Sequence, residues 1–174
     1  KSISVSPSIT SMPDKVPALE EEGEPAGYSL LVVEDTTDML EFLAKNLGNT
    51  YTIHTAANGK EALECLETTT VDLIISDIVM PHMDGFELLK SIRSDNMLCH
   101  IPFILLSALD SIDSKIAGLD YGADAYIEKP FSLSHMKATI NNLLENRRML
   151  FNHFTTVPNM SYDQTLMNKT DVKW

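Results

Sequence analysis

The chain has 174 residues, 44% hydrophobic and 22% charged, which suits one soluble globular domain with a real core and some spare chain. Thirteen Lys+Arg against 25 Asp+Glu give a net charge of −12, a balance that disfavours direct nucleic-acid binding or a basic membrane-surface helix. No apolar run approaches the roughly 18–20 residues of a membrane span and no signal peptide leads the chain, so a cytoplasmic protein is expected, or the cytoplasmic part of a membrane-anchored one.

Residues 1–27 hold four of the eight prolines, many serines and the acidic run Glu20-Glu21-Glu22 with Glu24. Such a stretch buries too little apolar surface to offset its ordering entropy, and is expected to be a flexible linker. From Tyr28 the pattern changes. Residues 28–33 (YSLLVV) form the nearly continuous apolar run of a strand buried on both faces. After Glu34-Asp35, Leu40, Leu43 and Leu47 recur at helical spacing, with Gly48 as the stop. A second strand over 51–55 and a helix over 59–67 follow, then a third strand over 71–76 (VDLIIS) that runs into Asp77. Phe86, Leu89 and Ile92 mark the third helix, residues 102–107 (PFILLS) the fourth strand, and Ile112, Ile116 and Leu119 a fourth helix closed by Gly122. A short fifth strand over 125–127 precedes Lys129-Pro130, and Leu133, Met136, Ile140, Leu143 and Leu144 trace a long final helix.

Five alternating strand–helix pairs imply right-handed crossovers and a doubly wound parallel α/β sheet with helices on both faces. In such sheets polar chemistry gathers at the carboxyl ends of the strands. There the sequence places Glu34 and Asp35 after strand one, Asp77 after strand three, Ser107 after strand four and Lys129 after strand five. Each residue alone has a plainer reading: Glu34 or Asp35 as helix-capping acids, Asp77 as a turn residue, Ser107 as a strand boundary, Lys129 as a solvated lysine. Together, three carboxylates in one crevice repel one another, raising one pKa or demanding a cation, and an all-oxygen site open to water suits Mg²⁺. Asp84 can cap the third helix behind the loop Met80-Pro81-His82-Met83-Asp84-Gly85, and His82 reads as an exposed loop histidine. Cys65 and Cys99 read as reduced core thiols, and the nine methionines as packing residues.

The segments LLVVEDTTDML, SDIVMPHMDGFELL, FILLSAL and GADAYIEKPF, with Ser107, Tyr126 and Lys129 lying 30, 49 and 52 residues beyond Asp77, resemble the receiver domain of two-component response regulators from about Tyr28 to Arg148. The resemblance implies a flavodoxin-like fold with strand order 2-1-3-4-5. It implies that Asp77 is the phosphoacceptor for a histidine kinase, that Glu34, Asp35, Asp77 and the Val79 backbone carbonyl hold Mg²⁺, and that Ser107 and Lys129 contact the acyl phosphate. Tyr126 would be the aromatic that moves between outward and buried positions, and Pro130 would follow Lys129, often through a cis peptide bond. The readout face would be the fourth helix, fifth strand and fifth helix, a surface also suited to a homodimer.

Three positions depart from receivers of the winged-helix transcription-factor type: His135 for an acid, Thr139 for an arginine and Ala125 for an acid before Tyr126. That dimer geometry is therefore in doubt. Val79 stands where some members carry a polar side chain. The final helix and its continuation over 133–154 are similar to the receivers of large hybrid two-component sensors of Bacteroides type, in which a histidine kinase precedes the receiver and a DNA-binding domain follows. On that similarity residues 1–27 are a linker, 28–150 the receiver and 151–174 a tail leading toward a following domain. The alternatives are a pseudo-receiver that signals by contact without phosphorylation, which the intact acidic set argues against, and an aspartyl-phosphate phosphatase, for which the chain lacks an acid at position 79. Beyond its own phosphorylation and dephosphorylation, no turnover is expected of the domain itself.

Overall fold

The computed structural model describes residues 27–108, 116 and 120–156. Its strands are β1 (Ser29–Val33), β2 (Thr52–Ala56), β3 (Leu73–Asp77), β4 (Phe103–Ser107) and β5 (Ala125–Glu128). Its helices are α1 (Thr37–Leu47), α2 (Gly59–Thr68), α3 (Gly85–Ser94) and a C-terminal helix (Leu133–Thr156). The expected fourth helix lies almost wholly outside the described residues, of which Ile116 and Asp120 are helical. The expected linker and the tail beyond Thr156 lie outside them too. A domain boundary at 150 falls inside the C-terminal helix, which runs on without a break.

The five strands form one parallel sheet in the order β2-β1-β3-β4-β5. Successive strand residues point to opposite faces, and both faces are apolar. Leu31, Val33, Ile74, Phe103 and Leu105 meet Ala62 of α2 and Leu88, Leu89 and Ile92 of α3. Leu30, Val32, Leu73, Ile75, Ile104, Leu106 and Ile127 meet Leu43 and Leu47 of α1 and Met136, Ile140 and Leu144 of the C-terminal helix. Covering both faces explains why β1, β3 and β4 read as continuous hydrophobic runs rather than alternating ones. Each fully buried Leu, Ile or Phe contributes roughly 1.5–3 kcal/mol of transfer free energy. Among the described residues no helix is long and apolar enough to cross a membrane.

Helix starts follow local chemistry. The Asn58 side chain accepts the Glu61 N–H at the head of α2, and Asp84 with Glu87 forms a reciprocal capping box on α3. At α1 the cap is Thr36, which makes no side-chain cap bond, so neither Glu34 nor Asp35 is the capping residue. Gly48 does end α1, but in a right-handed conformation, with its N–H on the Ala44 carbonyl rather than in a left-handed turn. Two packing expectations need correction. Cys65 and Cys99 are free thiols, but Cys99 is exposed rather than in the core. Met80 and Met136 are buried while, among the described residues, Met97 and Met149 are exposed, so not every methionine is a packing residue.

Candidate functional site

Strands β1 and β3 are the sheet's central neighbours, and the chain leaves their carboxyl ends in opposite directions: α1 lies over one face of the sheet and α3 over the other. The fork leaves a crevice at the top of the sheet. Backbone hydrogen bonds extend the sheet ladder into its walls. Glu34 N–H donates to the Ala56 carbonyl at 3.1 Å, Ile78 N–H to Leu106 at 3.0 Å, and Lys129 N–H to Ser107 at 2.6 Å. The residues flanking each strand end are thus held by the sheet itself rather than by mobile loops.

Into this crevice the fold brings Glu34, Asp35 and Asp77, whose carboxylate oxygens lie within 4.8 Å of one another. Glu34 is fully buried, Asp77 is 8% exposed and Asp35 is open to solvent. Lys129 Nζ spans two of them, 2.7 Å from Glu34 Oε2 and 3.1 Å from Asp77 Oδ2. Backbone N–H groups hold the other oxygens: Thr36 donates to Glu34 Oε1 at 3.1 Å and Ile78 to Asp77 Oδ1 at 2.8 Å. Ser107 is buried at the end of β4, and the Lys129–Pro130 bond beside it is cis, as the family resemblance implied. Tyr126 sits on the edge strand β5, half-buried against the α2/α3 side of the core, with its hydroxyl oxygen inside. Val79 follows Asp77 by two residues and is 71% exposed.

The electrostatics follow from this geometry. Burial works against ionised Glu34, but the Lys129 ammonium and the Thr36 N–H overcome it and hold the carboxyl below its ordinary range. Asp77 goes the other way: burial, and then the neighbouring Glu34 charge, push its carboxyl up against the pull of Lys129. For Lys129, burial disfavours the charge, yet Glu34 and Asp77 hold the ammonium above its usual value. Lys129 serves both carboxylates, and burial beside the Glu34 charge leaves Asp77 the less comfortable anion.

An oxygen-only cluster of three carboxylates, one of them open to water, fits a hard divalent cation with several waters in its shell, as Mg²⁺ prefers. His82, expected to be an exposed loop histidine, is exposed; it sits at φ 65° in a tight turn where Met83 N–H reaches the Pro81 carbonyl at 2.7 Å. Gly85 is constrained more closely, since a Cβ there would run into the Asp77 backbone carbonyl. The Asp77–Gly85 loop therefore packs directly on the strand that presents the site.

One network has no counterpart in the sequence reading. Arg93, at the end of α3, donates to the carbonyls of Gly122, Cys99 and Ile101 and to Asp124 Oδ2 at 2.8–3.0 Å. The same Asp124 oxygen accepts the Phe103 N–H at 2.8 Å. This clamp ties α3 to the amino ends of β4 and β5. Nothing in its local sequence marks it, because its partners lie 6 to 31 residues away.

A doubly wound 2-1-3-4-5 sheet presenting a lysine-bridged acidic cluster beside a buried serine defines the class of response-regulator-like α/β signalling domains. Residues 30–141 match the response regulator receiver domain, which is more than half of the chain, and the chain belongs to that family. Among curated proteins it is 35% identical to "Histidine kinase P4" of Formosa agariphila over 164 residues, covering 91% of this chain and 12% of that protein. It is 39% identical to the "Probable transcriptional regulator ycf27" of Cyanidium caldarium over 118 residues, covering 67% of this chain and 46% of that one. The chain thus spans less than half the length of either. Among solved structures it resembles the receiver domain of a signal transduction histidine kinase from Syntrophus aciditrophicus (TM-score 0.66, 36% identity, 69% of this chain and 92% of that one). The Francisella response regulator 1452 receiver domain is similar to the same degree (TM-score 0.65, 38% identity, 70% and 99%).

Proposed function

We propose that this receiver domain accepts a phosphoryl group on Asp77 from a histidine kinase, with Mg²⁺, and passes the change to an output. The observation that carries the reading is the bridging of Glu34 and Asp77 by Lys129 beside the Asp35 carboxylate. In the transfer, an Asp77 carboxylate oxygen forms the new bond to phosphorus as the phosphorus–nitrogen bond of the donor breaks. The imidazole leaves with that electron pair and later takes up a proton. Glu34, Asp35, Asp77 and the Val79 backbone carbonyl are the residues that would hold Mg²⁺, which when bound would offset charge on the transferring oxygens. Lys129 supplies a positive charge already positioned at Asp77 Oδ2, so little reorganisation is needed when phosphoryl oxygens arrive.

Ser107, one residue further along β4 than Leu106, the register partner of Asp77, would hydrogen-bond the product's oxygens, a role its position at that strand end supports. Its displacement toward them frees space for Tyr126, shifting the population between two packings of the fourth helix, β5 and the C-terminal helix. The output is proposed to be transcriptional, in line with the Cyanidium relative's being a probable transcriptional regulator, and the whole protein a hybrid sensor, a reading supported by the similarity to a Formosa histidine kinase. On that view residues 1–27 are the incoming linker, 28–150 the receiver and 151–174 the start of the outgoing connection. The partners are then the kinase phosphodonor, in the same chain or another, and a second copy through the readout face. The net charge of −12 argues against nucleic-acid or membrane contact by this part of the protein.

The test is intact-protein mass after incubation with acetyl phosphate, with and without Mg²⁺, for the parent chain and Asp77→Ala. A phosphoryl-sized gain that needs both the metal and Asp77 is expected. No gain with Mg²⁺ demonstrably bound would favour a phosphorylation-independent interaction module, and a gain surviving Asp77→Ala would move the acceptor elsewhere.

A further inference from the structure

The C-terminal helix is longer than the sheet needs. Met136, Ile140 and Leu144 bury it against the sheet, and Leu144 is the last buried residue. The helix then runs three more turns, to Thr156, carrying exposed Met149, Leu150, Phe151 and Phe154, each 60–77% accessible. Leu144, Arg147, Phe151 and Phe154 follow at three- and four-residue spacing, so the stripe that packs the core continues onto the protruding end. Where it leaves the sheet edge, an open groove of about 210 Å³ is lined by Tyr28, Asp72, Leu144, Arg147, Arg148 and Phe151. Arg147 Nη1 donates to the Asp72 carbonyl at 2.9 Å, and the exposed Arg148 pairs with the partly buried Glu145 at 3.0 Å.

Tyr28 is both a wall of this groove and the residue through which the chain enters β1. The preceding segment, Ala18-Leu19-Glu20-Glu21-Glu22-Gly23-Glu24, carries four carboxylates and one large apolar side chain. We propose that residues 18–24 dock on the protruding end of the C-terminal helix, carboxylates toward Arg147 and Arg148 and Leu19 toward Phe151 and its neighbours. The reach suffices. Four to ten residues before Tyr28 span at most about 13–33 Å, whereas Arg147 to Phe154 is only about 10 Å of helix. Charge sign matches on an otherwise strongly acidic chain. Tethering makes the contact intramolecular at millimolar effective concentration, so a small patch is enough. A free second copy lacks that advantage: four side chains cover far less than the roughly 1,000 Å² a stable interface needs. The consequence is a strap joining the segment that enters the domain to the helix that leaves it.

The experiment is hydrogen exchange of the full 174-residue chain at low salt, read at amides 149–156 with β1 and β3 amides as the folding control. Glu20, Glu21, Glu22 and Glu24 changed together to Gln should speed exchange at 149–156 by roughly five-fold or more, and so should Arg148→Glu or 0.5 M NaCl. Lys at the four acidic positions combined with Arg147→Glu and Arg148→Glu should restore protection. Unchanged exchange in the Gln variant would overturn the proposal. So would protection that grows with protein concentration, which assigns the face to a second copy, or protection lost only on removal of residues 157–174.

Discussion

Lys129 is placed to be the counter-charge of the whole resting site, and replacing it tests that. Lys129→Met keeps the stem and deletes the ammonium. At an effective dielectric of about 20, contacts of 2.7 Å to Glu34 and 3.1 Å to Asp77 amount to about 6 and about 5 kcal/mol of gross attraction, against about 3 kcal/mol of Glu34–Asp77 repulsion. Much of the gross attraction is offset by desolvation. What remains is the cost of leaving buried carboxylates unpaired, typically 3–5 kcal/mol, and the low end applies because Lys129 and Asp77 keep 18% and 11% of their side-chain exposure. The expected loss is about 3 kcal/mol in metal-free buffer, or about 2 M in urea midpoint at a slope of about 1.5 kcal/mol/M. Asp77→Asn should act in the opposite direction, raising the metal-free urea midpoint, because it removes the carboxylate that burial and Glu34 make unfavourable. Mg²⁺ should then rescue Lys129→Met more than the parent chain and Asp77→Asn least. Urea melts followed by circular dichroism, with chelator and with Mg²⁺, decide the matter. A midpoint shift below about 0.5 M for Lys129→Met, or a destabilised Asp77→Asn without metal, would refute the assignment.

Acid should separate the two carboxylates. Asp77, with its carboxyl raised from 3.8, penalises the fold at neutral pH and is relieved as it protonates, so the advantage of Asp77→Asn over the parent should be full at pH 7 and vanish toward pH 3.8. Glu34, lowered from 4.5, contributes stability present above that value and lost as pH falls through its depressed folded one, so Glu34→Gln should flatten the acid limb of a metal-free stability profile. Arg93→Lys should cost about 2 kcal/mol in urea melts, since an ammonium cannot reproduce the fork that reaches four acceptors, while acetyl-phosphate labelling of Asp77 stays near the parental rate. Gly85→Ala should cost 2 kcal/mol or more, by the ~1–3 kcal/mol typical of overpacking, and should also slow labelling, because the loop it displaces rests on Asp77.

The strand–helix alternation and the acidic cluster were legible because both come from local and periodic signals, whereas the strand order rested on the family resemblance. Apolar runs of strand length separated by helical spacing fix the alternation, and a doubly wound sheet always presents its strand ends on one edge. Glu34, Asp77 and Ser107 could therefore be placed together from position alone, and Asp84 as a helix cap from the residue type. Lys129 could be placed there but its partners could not: bonds to Glu34 and Asp77 span 95 and 52 residues and depend on how β5 seats beside β4. The opposite shifts of Glu34 and Asp77 come from how deeply each carboxylate is buried and from which charges and N–H groups face it, which sequence does not encode locally. The Arg93 clamp, the exposure of Cys99 and the protruding end of the C-terminal helix are of the same kind. Periodicity says which face of a helix is apolar, but only the size of the packed sheet says where along its length that face runs out of partners.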